Sequence, residues 1–505
     1  MNRSSGILLP ISALPGRYGI GSLGREARAF ADFLKAAGQQ YWQILPLGPV
    51  DESGSPYYAA SSFAGNPLLI DLELLKEEGL LTEEELLTGE ESLTGEESLT
   101  GEEPAAAVCA GGARYADYRA LCGARPLLLN QAAERLLERE GGSVDAFAAE
   151  HPGLVSYAVY TALKRANGMA CWHAWQIHSL EEAGEQAQAE SRRCLAIQLL
   201  FFRQWHALKD YVNSLGIRII GDIPFYVPFD SADVWAEPEQ FRLNEDNLPV
   251  MVSGVPPDYF SEEGQLWGNP LYDFDRMRED GFGWWIRRMA VAAEMYDAVR
   301  IDHFRAFEAY WAVPAGDANA KGGHWVQGPG KELLDILSQW FPQTALIAED
   351  LGSDMENVEA LLAETGLPGM KVLEFAFSAD RTSIHLPHKY DRNCVCYSGT
   401  HDNAPLAAWL KDAGKEETDF AGAYLGLSRE EGFVRGILRG GMVSVADLFV
   451  AQMQDWLELG PESRMNIPGT TDGNWRWRLL PGEADEKLAA EIREMTERYG
   501  RAGAC

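Results

Sequence analysis

From Gly216 onward the sequence alternates short apolar or β-branched runs with stretches of helical periodicity, and several of those runs end on an acid. Strands separated by helices build βαβ units, in which the strands run parallel and the helices cover the sheet, so the fold class is α/β. Three acid-ended runs stand out: Val299-Arg300-Ile301-Asp302-His303-Phe304-Arg305, Ile347-Ala348-Glu349-Asp350-Leu351-Gly352 and Tyr397-Ser398-Gly399-Thr400-His401-Asp402-Asn403. In a closed parallel barrel all strands point one way, and residues at their C-terminal ends converge on the face where such enzymes do their chemistry. Three carboxylates at three strand ends therefore point to one site.

The rest of the chain fits one large barrel with insertions. Residues 1–71 read as the first barrel units: loop over 6–24, helix over 25–37, strand over 41–46, then a loop whose Tyr57 and Tyr58 either face the functional side or pack the loop down. Residues 72–210 carry long helical segments with few β-branched runs, which predicts an inserted, mainly helical subdomain. Within it, residues 87–104 hold a tandem acidic hexapeptide, Leu-Thr-Gly-Glu-Glu-Ser and close copies. So short a period builds no solenoid, and it is expected to be a solvated, mobile surface segment. Residues 211–505 form the remainder of the barrel. Its expected elements are a strand over 216–227 carrying Asp222, a long aromatic loop over 250–272, helices over 284–295, 330–340 and 355–365, a strand over 370–377, and another around 442–450.

Charge and cysteine usage narrow the function. A formal net charge of -33 repels nucleic acid and anionic membranes, whereas a neutral ligand is compatible with it. No apolar run reaches the ~20 residues of a spanning helix, and the N-terminus lacks a signal pattern, so the expected location is the cytoplasm. The seven cysteines are scattered without a Cys-x-x-Cys pair, which favours reduced thiols; Cys394 and Cys396 would share one face of a strand. No zinc-ligand or phosphate-loop spacing is present, so neither metal nor nucleotide cofactor is expected.

Arg300 and Asp302 lie two apart, so on a strand both side chains leave the same face. The guanidinium would lower the carboxylate's pKa and keep it ionised and nucleophilic, although a purely structural ion pair has the same signature. Glu349 and Asp350 are neighbours, and periodicity does not say which faces the barrel axis; Asp402 shares this ambiguity with His401 and Asn403. A carboxyl crowded by others would retain its proton and serve as a general acid beside an ionised nucleophile. His303 and His401 read as hydrogen-bonding partners of substrate hydroxyls or of these carboxylates.

Ordered motifs along the whole chain resemble the 4-α-glucanotransferases (amylomaltases, or disproportionating enzymes), relatives of the α-amylases. They include Gly6-Ile7-Leu8-Leu9-Pro10, Tyr41-Trp42-Gln43-Ile44-Leu45-Pro46-Leu47, Ser55-Pro56-Tyr57, Gly221-Asp222-Ile223-Pro224 and Pro256-Pro257-Asp258-Tyr259-Phe260. Gly264-Gln265-Leu266-Trp267-Gly268-Asn269-Pro270, Arg464-Met465-Asn466-Ile467-Pro468-Gly469-Thr470 and Asn474-Trp475-Arg476-Trp477-Arg478 continue the series. The resemblance implies a (β/α)8 TIM barrel with inserted subdomains, acting on maltooligosaccharides and α-1,4-glucans as a monomer or weak homodimer. By position it implies Asp302 as nucleophile, Glu349 as general acid/base and Asp402 as the third carboxylate, gripping substrate hydroxyls. Arg300 and His401 would hold the nucleophile and the reacting sugar, with Asp222, Tyr57, Trp267 and Phe375 near bound glucan. Ala306 stands where the family usually has Gly, and Ala404-Pro405 where it has a polar residue and Thr; the second change is expected to disturb the support of Asp402. Rival readings are a hydrolytic α-amylase-type enzyme and a non-catalytic glucan-binding protein.

Overall fold

The computed structural model describes residues 3–87, 113–257, 261–352, 355–378 and 381–503. Apart from Leu87, the acidic hexapeptides lie outside the described residues, as do Asp258, Tyr259 and Phe260.

Eight parallel strands form the central sheet: β1 (Ser4–Leu8), β2 (Tyr41–Gln43), β3 (Arg218–Ile223), β4 (Ala298–Ile301), β5 (Ala345–Ala348), β6 (Gly369–Val372), β7 (Cys394–Tyr397) and β8 (Leu448–Gln452). They are hydrogen-bonded in the order β6-β7-β8-β1-β2-β3-β4-β5. Nearly every strand residue is buried, as strands covered on both faces must be. Helices that follow the strands bury one apolar stripe each; Arg25–Ala36, for instance, turns Ala27, Phe30, Ala31 and Leu34 inward. A three-helix layer of Tyr118–Glu150, Pro152–Ala166 and Glu185–Ser214 covers one side and shares the barrel's hydrophobic core. With this architecture the α/β assignment becomes a nearly closed (β/α)8 TIM barrel.

The barrel closes between β5 and β6, where the main-chain ladder is thinnest. Ala348 N–H donates to Pro368 O at 2.9 Å. Beside it the buried Asp350 carboxylate accepts the Met370 N–H at 2.5 Å. Gly369 is required here, since a Cβ would fall 2.4 Å from Asp350 Oδ2. Asp350 therefore belongs to the wall, which leaves Glu349 to face the site. Replacing Asp350 by Ala strands the Met370 N–H in the core and is expected to destabilise the protein by about 1–3 kcal/mol, read as a lower denaturation midpoint. An unchanged midpoint would remove Asp350 from the closure.

Several sequence expectations need correction. Gly6, Ile7 and Leu8, read as the start of a loop, belong to the fully buried strand β1, paired with both β8 and β2. The expected aromatic loop over 250–272 contains two antiparallel strands, Met251–Val255 and Gln265–Pro270. They join Ala309–Pro314 and His324–Gln327 in a separate four-stranded antiparallel sheet beside the barrel. β6 ends at Val372 and passes into a 3-10 turn, Leu373–Phe375, rather than running to 377. Residue 442 lies in the helix Phe433–Val443, so the last strand starts only at Leu448. β2 stops at Gln43, and the last helix before β3 continues to Ser214 instead of ending by 210.

Candidate active site

Register brings the charges together. Asp222 on β3 is the parallel partner of Arg300 on β4, so their side chains leave neighbouring strands on the same side. Arg300 Nη1 donates to both Asp222 oxygens, at 2.9 and 2.7 Å, and lies 3.0 Å from Asp302 Oδ1. Burial works against the Arg300 charge, but the Asp222 and Asp302 carboxylates more than offset it. Ile301 and Ala348 pair across β4 and β5. Asp302 and Glu349 are thus each the first residue beyond two adjacent strand ends.

Glu349 is held by the main chain. Its Oε2 accepts the His303 N–H at 2.7 Å and its Oε1 the Leu351 N–H at 2.9 Å. Burial pushes the Glu349 carboxyl up to about 8, with Asp302 adding to the rise and Arg300 opposing it. Asp302 lines the cleft with 29% of its side chain exposed. Burial pushes it up to about 6, Arg300 pulls it down, and Asp222 and Asp402 push it further up. Arg300 does lower the Asp302 pKa, as expected, but desolvation outweighs that one cation and the net shift is upward. Even so, the rise is larger for Glu349 than for Asp302, so Asp302 is the more readily ionised of the two and Glu349 the one that better keeps its proton.

His303 adopts a left-handed backbone conformation, with φ of 52°, which few residues other than glycine occupy. That turn aims its N–H at Glu349. Its ring lines the cleft edge-on to Trp267 at 4.6 Å, and Nε2 has no partner among the described residues. Burial, with Arg305 nearby, drives the imidazole down to about 3, so the ring is neutral.

The third acid sits five residues past β7, in a turn. Asp402 Oδ1 accepts from Asn466 Nδ2 at 2.6 Å and lies 3.4 Å from His401 Nε2. Arg464 Nη2 donates to Asp402 O, and Asn403 Oδ1 accepts from Thr400 N–H and Thr400 Oγ1. The supports of Asp402 thus come from Arg464, Asn466 and Thr400, and Ala404-Pro405 contributes none of them. Pro405 instead starts the helix Leu406–Asp412, and Ala306 packs fully buried in the short turn Arg305–Glu308.

Tyr57 links the halves of the site. Its hydroxyl donates to Asp222 Oδ2 at 2.8 Å, and its ring stacks on His401 with centroids 5.0 Å apart and planes 20° from parallel. Tyr58 stands half exposed on the same cleft wall, so both tyrosines of the loop lie at the cleft. The cleft, of about 450 Å3, is lined by Tyr57, Tyr58, Trp267, Asp302, His303, His401 and Asp402, and by Tyr226, Asn466, Asn474 and Trp475, to which the sequence reading gave no role. Trp475 packs 5.7 Å from Tyr57 and 5.8 Å from His401. The signal for Asn466 and Trp475 was present in the two late motifs that contain them. Phe375 is not part of this lining; it is exposed on the turn after β6, against His385. Among the described residues no three His, Cys, Asp or Glu side chains are grouped to hold a metal ion.

The arrangement can protonate a leaving group, attack a carbon and grip polyol hydroxyls. The family model of glycoside hydrolase family 77, described as 4-alpha-glucanotransferase, matches residues 9–483. A 4-alpha-glucanotransferase from Thermus thermophilus is 44% identical over 98% of this chain and 98% of its own length. A chloroplastic/amyloplastic one from Solanum tuberosum is 41% identical over 99% of this chain and 86% of its own. Among solved structures, an amylomaltase from Streptococcus agalactiae in complex with acarbose superposes with a TM-score of 0.92, at 36% identity over 99% of this chain and 100% of that one. Matched in sequence and fold over nearly its whole length, the chain belongs to the 4-alpha-glucanotransferase family.

Proposed function

We propose that this protein transfers α-1,4-glucan segments from a donor maltooligosaccharide to the 4-hydroxyl of an acceptor glucose or glucan, with retention of configuration. The observation that carries this reading is the pair of carboxyls beyond two adjacent strand ends, one ion-paired to Arg300 and one pinned by two main-chain N–H groups. Protonated Glu349 gives its proton to the glycosidic oxygen as ionised Asp302 attacks the anomeric carbon, forming a β-glucosyl ester and freeing the shortened glucan. Deprotonated Glu349 then takes the proton of the incoming 4-hydroxyl, whose oxygen displaces Asp302; two inversions restore the α-linkage. Asp402 and His401 grip the hydroxyls of the reacting sugar. His303 Nε2 offers a further polar contact, and Trp267, Tyr58 and Trp475 supply faces on which rings can stack.

Transfer requires an acceptor sugar to reach the ester ahead of water. Incubation with maltotriose tests this: longer maltodextrins and glucose with no net gain of reducing ends mean transfer, whereas rising reducing ends mean hydrolysis. Binding without turnover would leave a glucan-binding protein. The carboxyl pair also sets the pH dependence. Activity should rise as Asp302 ionises near about 6 and fall as Glu349 loses its proton near about 8. A kcat/KM profile flat from pH 5 to 9 would contradict the assignment of roles.

The five described cysteines are all free thiols, in keeping with a cytoplasmic location. No helix among the described residues is long and apolar enough to cross a membrane. The surplus of acid favours a monomer or a weak homodimer, which sedimentation would resolve.

A further inference from the structure

The turn that carries His401 and Asp402 is built over a buried polar cluster that the reaction above does not use. Gly399 lies at its centre: a Cβ there would be 2.8 Å from both Glu374 Oε1 and Gln452 Nε2, and 3.0 Å from Asn403 Cβ. Side chains from the ends of β6, β7 and β8 therefore close on one glycine. Glu374 Oε1 and both polar atoms of the Gln452 amide are buried without a hydrogen-bond partner among the described residues. Buried polar groups are costly unless paired, so a cluster of this kind calls for a reason beyond packing.

Asn403 supplies that reason. Its Oδ1 accepts from Thr400 N–H and Thr400 Oγ1, both at 2.9 Å, which ties the turn closed on either side of His401 and Asp402. With the oxygen committed, the amide NH2 is left for Glu374. From the opposite side Arg464 fixes the Asp402 and Asn466 carbonyls, with Nη2 to Asp402 O at 2.5 Å and Nε to Asn466 O at 2.8 Å.

We propose that Glu374 is a positioning residue for transfer: acting through the Asn403 side chain, its carboxyl fixes the turn that holds His401 and Asp402 at the reacting sugar. This rests on the role given to Asp402 above. Burial pushes Glu374 well above the usual carboxylate range and the Asp455 carboxylate adds to this, while Arg464 and the Asn403 amide oppose it. With its charge disfavoured by burial, what Glu374 offers the Asn403 amide is an acceptor oxygen, which an amide of the same shape also provides. The group needed at position 374 is thus an uncharged one of this shape.

Glu374→Gln, which keeps that shape without charge, should retain most of the wild-type kcat on maltotriose. Glu374→Leu removes the hydrogen bonds along with an orphaned acid, so Tm should hold or rise while kcat falls on the order of 10^2-fold, the scale of a displaced catalytic group. Because the effect passes through Asn403, the double variant Glu374→Leu/Asn403→Ala should be no slower than the slower single one. Should Glu374→Leu fail to fold, Glu374→Asp, which withdraws the carboxyl by one methylene, takes its place with the same expected loss. The proposal is overturned by a folded Leu or Asp variant with wild-type kcat, by a Gln variant as slow as Leu or Asp, or by single losses that multiply in the double variant. Wild-type transfer in the same assay is the separate check on the functional reading.

Discussion

Asp302→Asn leaves a folded protein that no longer transfers glucan, with kcat/KM on maltotriose reduced on the order of 10^4-fold or more. Asparagine cannot form the glucosyl ester, and Arg300 remains neutralised through its two contacts with Asp222. Stability should move the other way from activity. The folded protein raises the Asp302 pKa, chiefly by burial, so ionising this group costs stability as pH climbs from its unfolded value near 3.8 to the folded value of about 6. The asparagine variant escapes that cost. Its Tm should match wild type near pH 4, gain on it up to about pH 6, and keep a constant advantage above. Residual transfer of a few per cent would sink the nucleophile assignment; a lower Tm at pH 7 would sink the electrostatic account.

Glu349→Gln is expected to lower transfer from maltotriose by about 10^2- to 10^4-fold, the usual worth of a positioned acid and base. The loss should depend on the leaving group. With α-glucosyl fluoride as donor, fluoride departs without a proton, so formation of the ester should be far less impaired and the intermediate should accumulate. Glutamine offers one oxygen where Glu349 uses two to accept from His303 and Leu351 N–H groups, and part of the loss reflects that mismatch. Equal losses on the two donors would mean that Glu349 holds the site together without transferring protons.

Local pattern carried the strands around Asp222, Asp302 and Glu349, because apolar residues ending on an acid report burial directly. It failed where pairing partners decide. β1 contains two serines and a glycine, and it is a strand because β8 and β2 flank it; Gly6 fits only because any Cβ would meet Tyr41 at 2.7 Å. The hairpin of Met251–Val255 and Gln265–Pro270 was hidden by its glycines and prolines, read as loop chemistry. The choice between Glu349 and Asp350 was beyond periodicity, since it turns on Met370, twenty residues from Asp350 and on the other side of the barrel closure. The Arg300–Asp302 spacing correctly implied contact but not the acidity of Asp302, because spacing carries no measure of desolvation. Asn466 and Trp475 were visible as motif members, yet their service to Asp402 and Tyr57 exists only once the chain has folded back on itself.

The left-handed turn at His303 has a consequence for how this scaffold can change. The residue that follows Asp302 also supplies an N–H that anchors Glu349, so the approach of the two carboxyls is tied to main chain held in a conformation most side chains resist. An inverting enzyme needs its carboxyls several ångströms further apart than a retaining one, roughly 6.5–9.5 Å against 5–5.5 Å. Shortening either side chain would lengthen that separation but would leave the strand ends and the main-chain anchor where they are. Change that spares this anchor is therefore steered to the cleft walls, around Tyr58, Trp267 and Trp475.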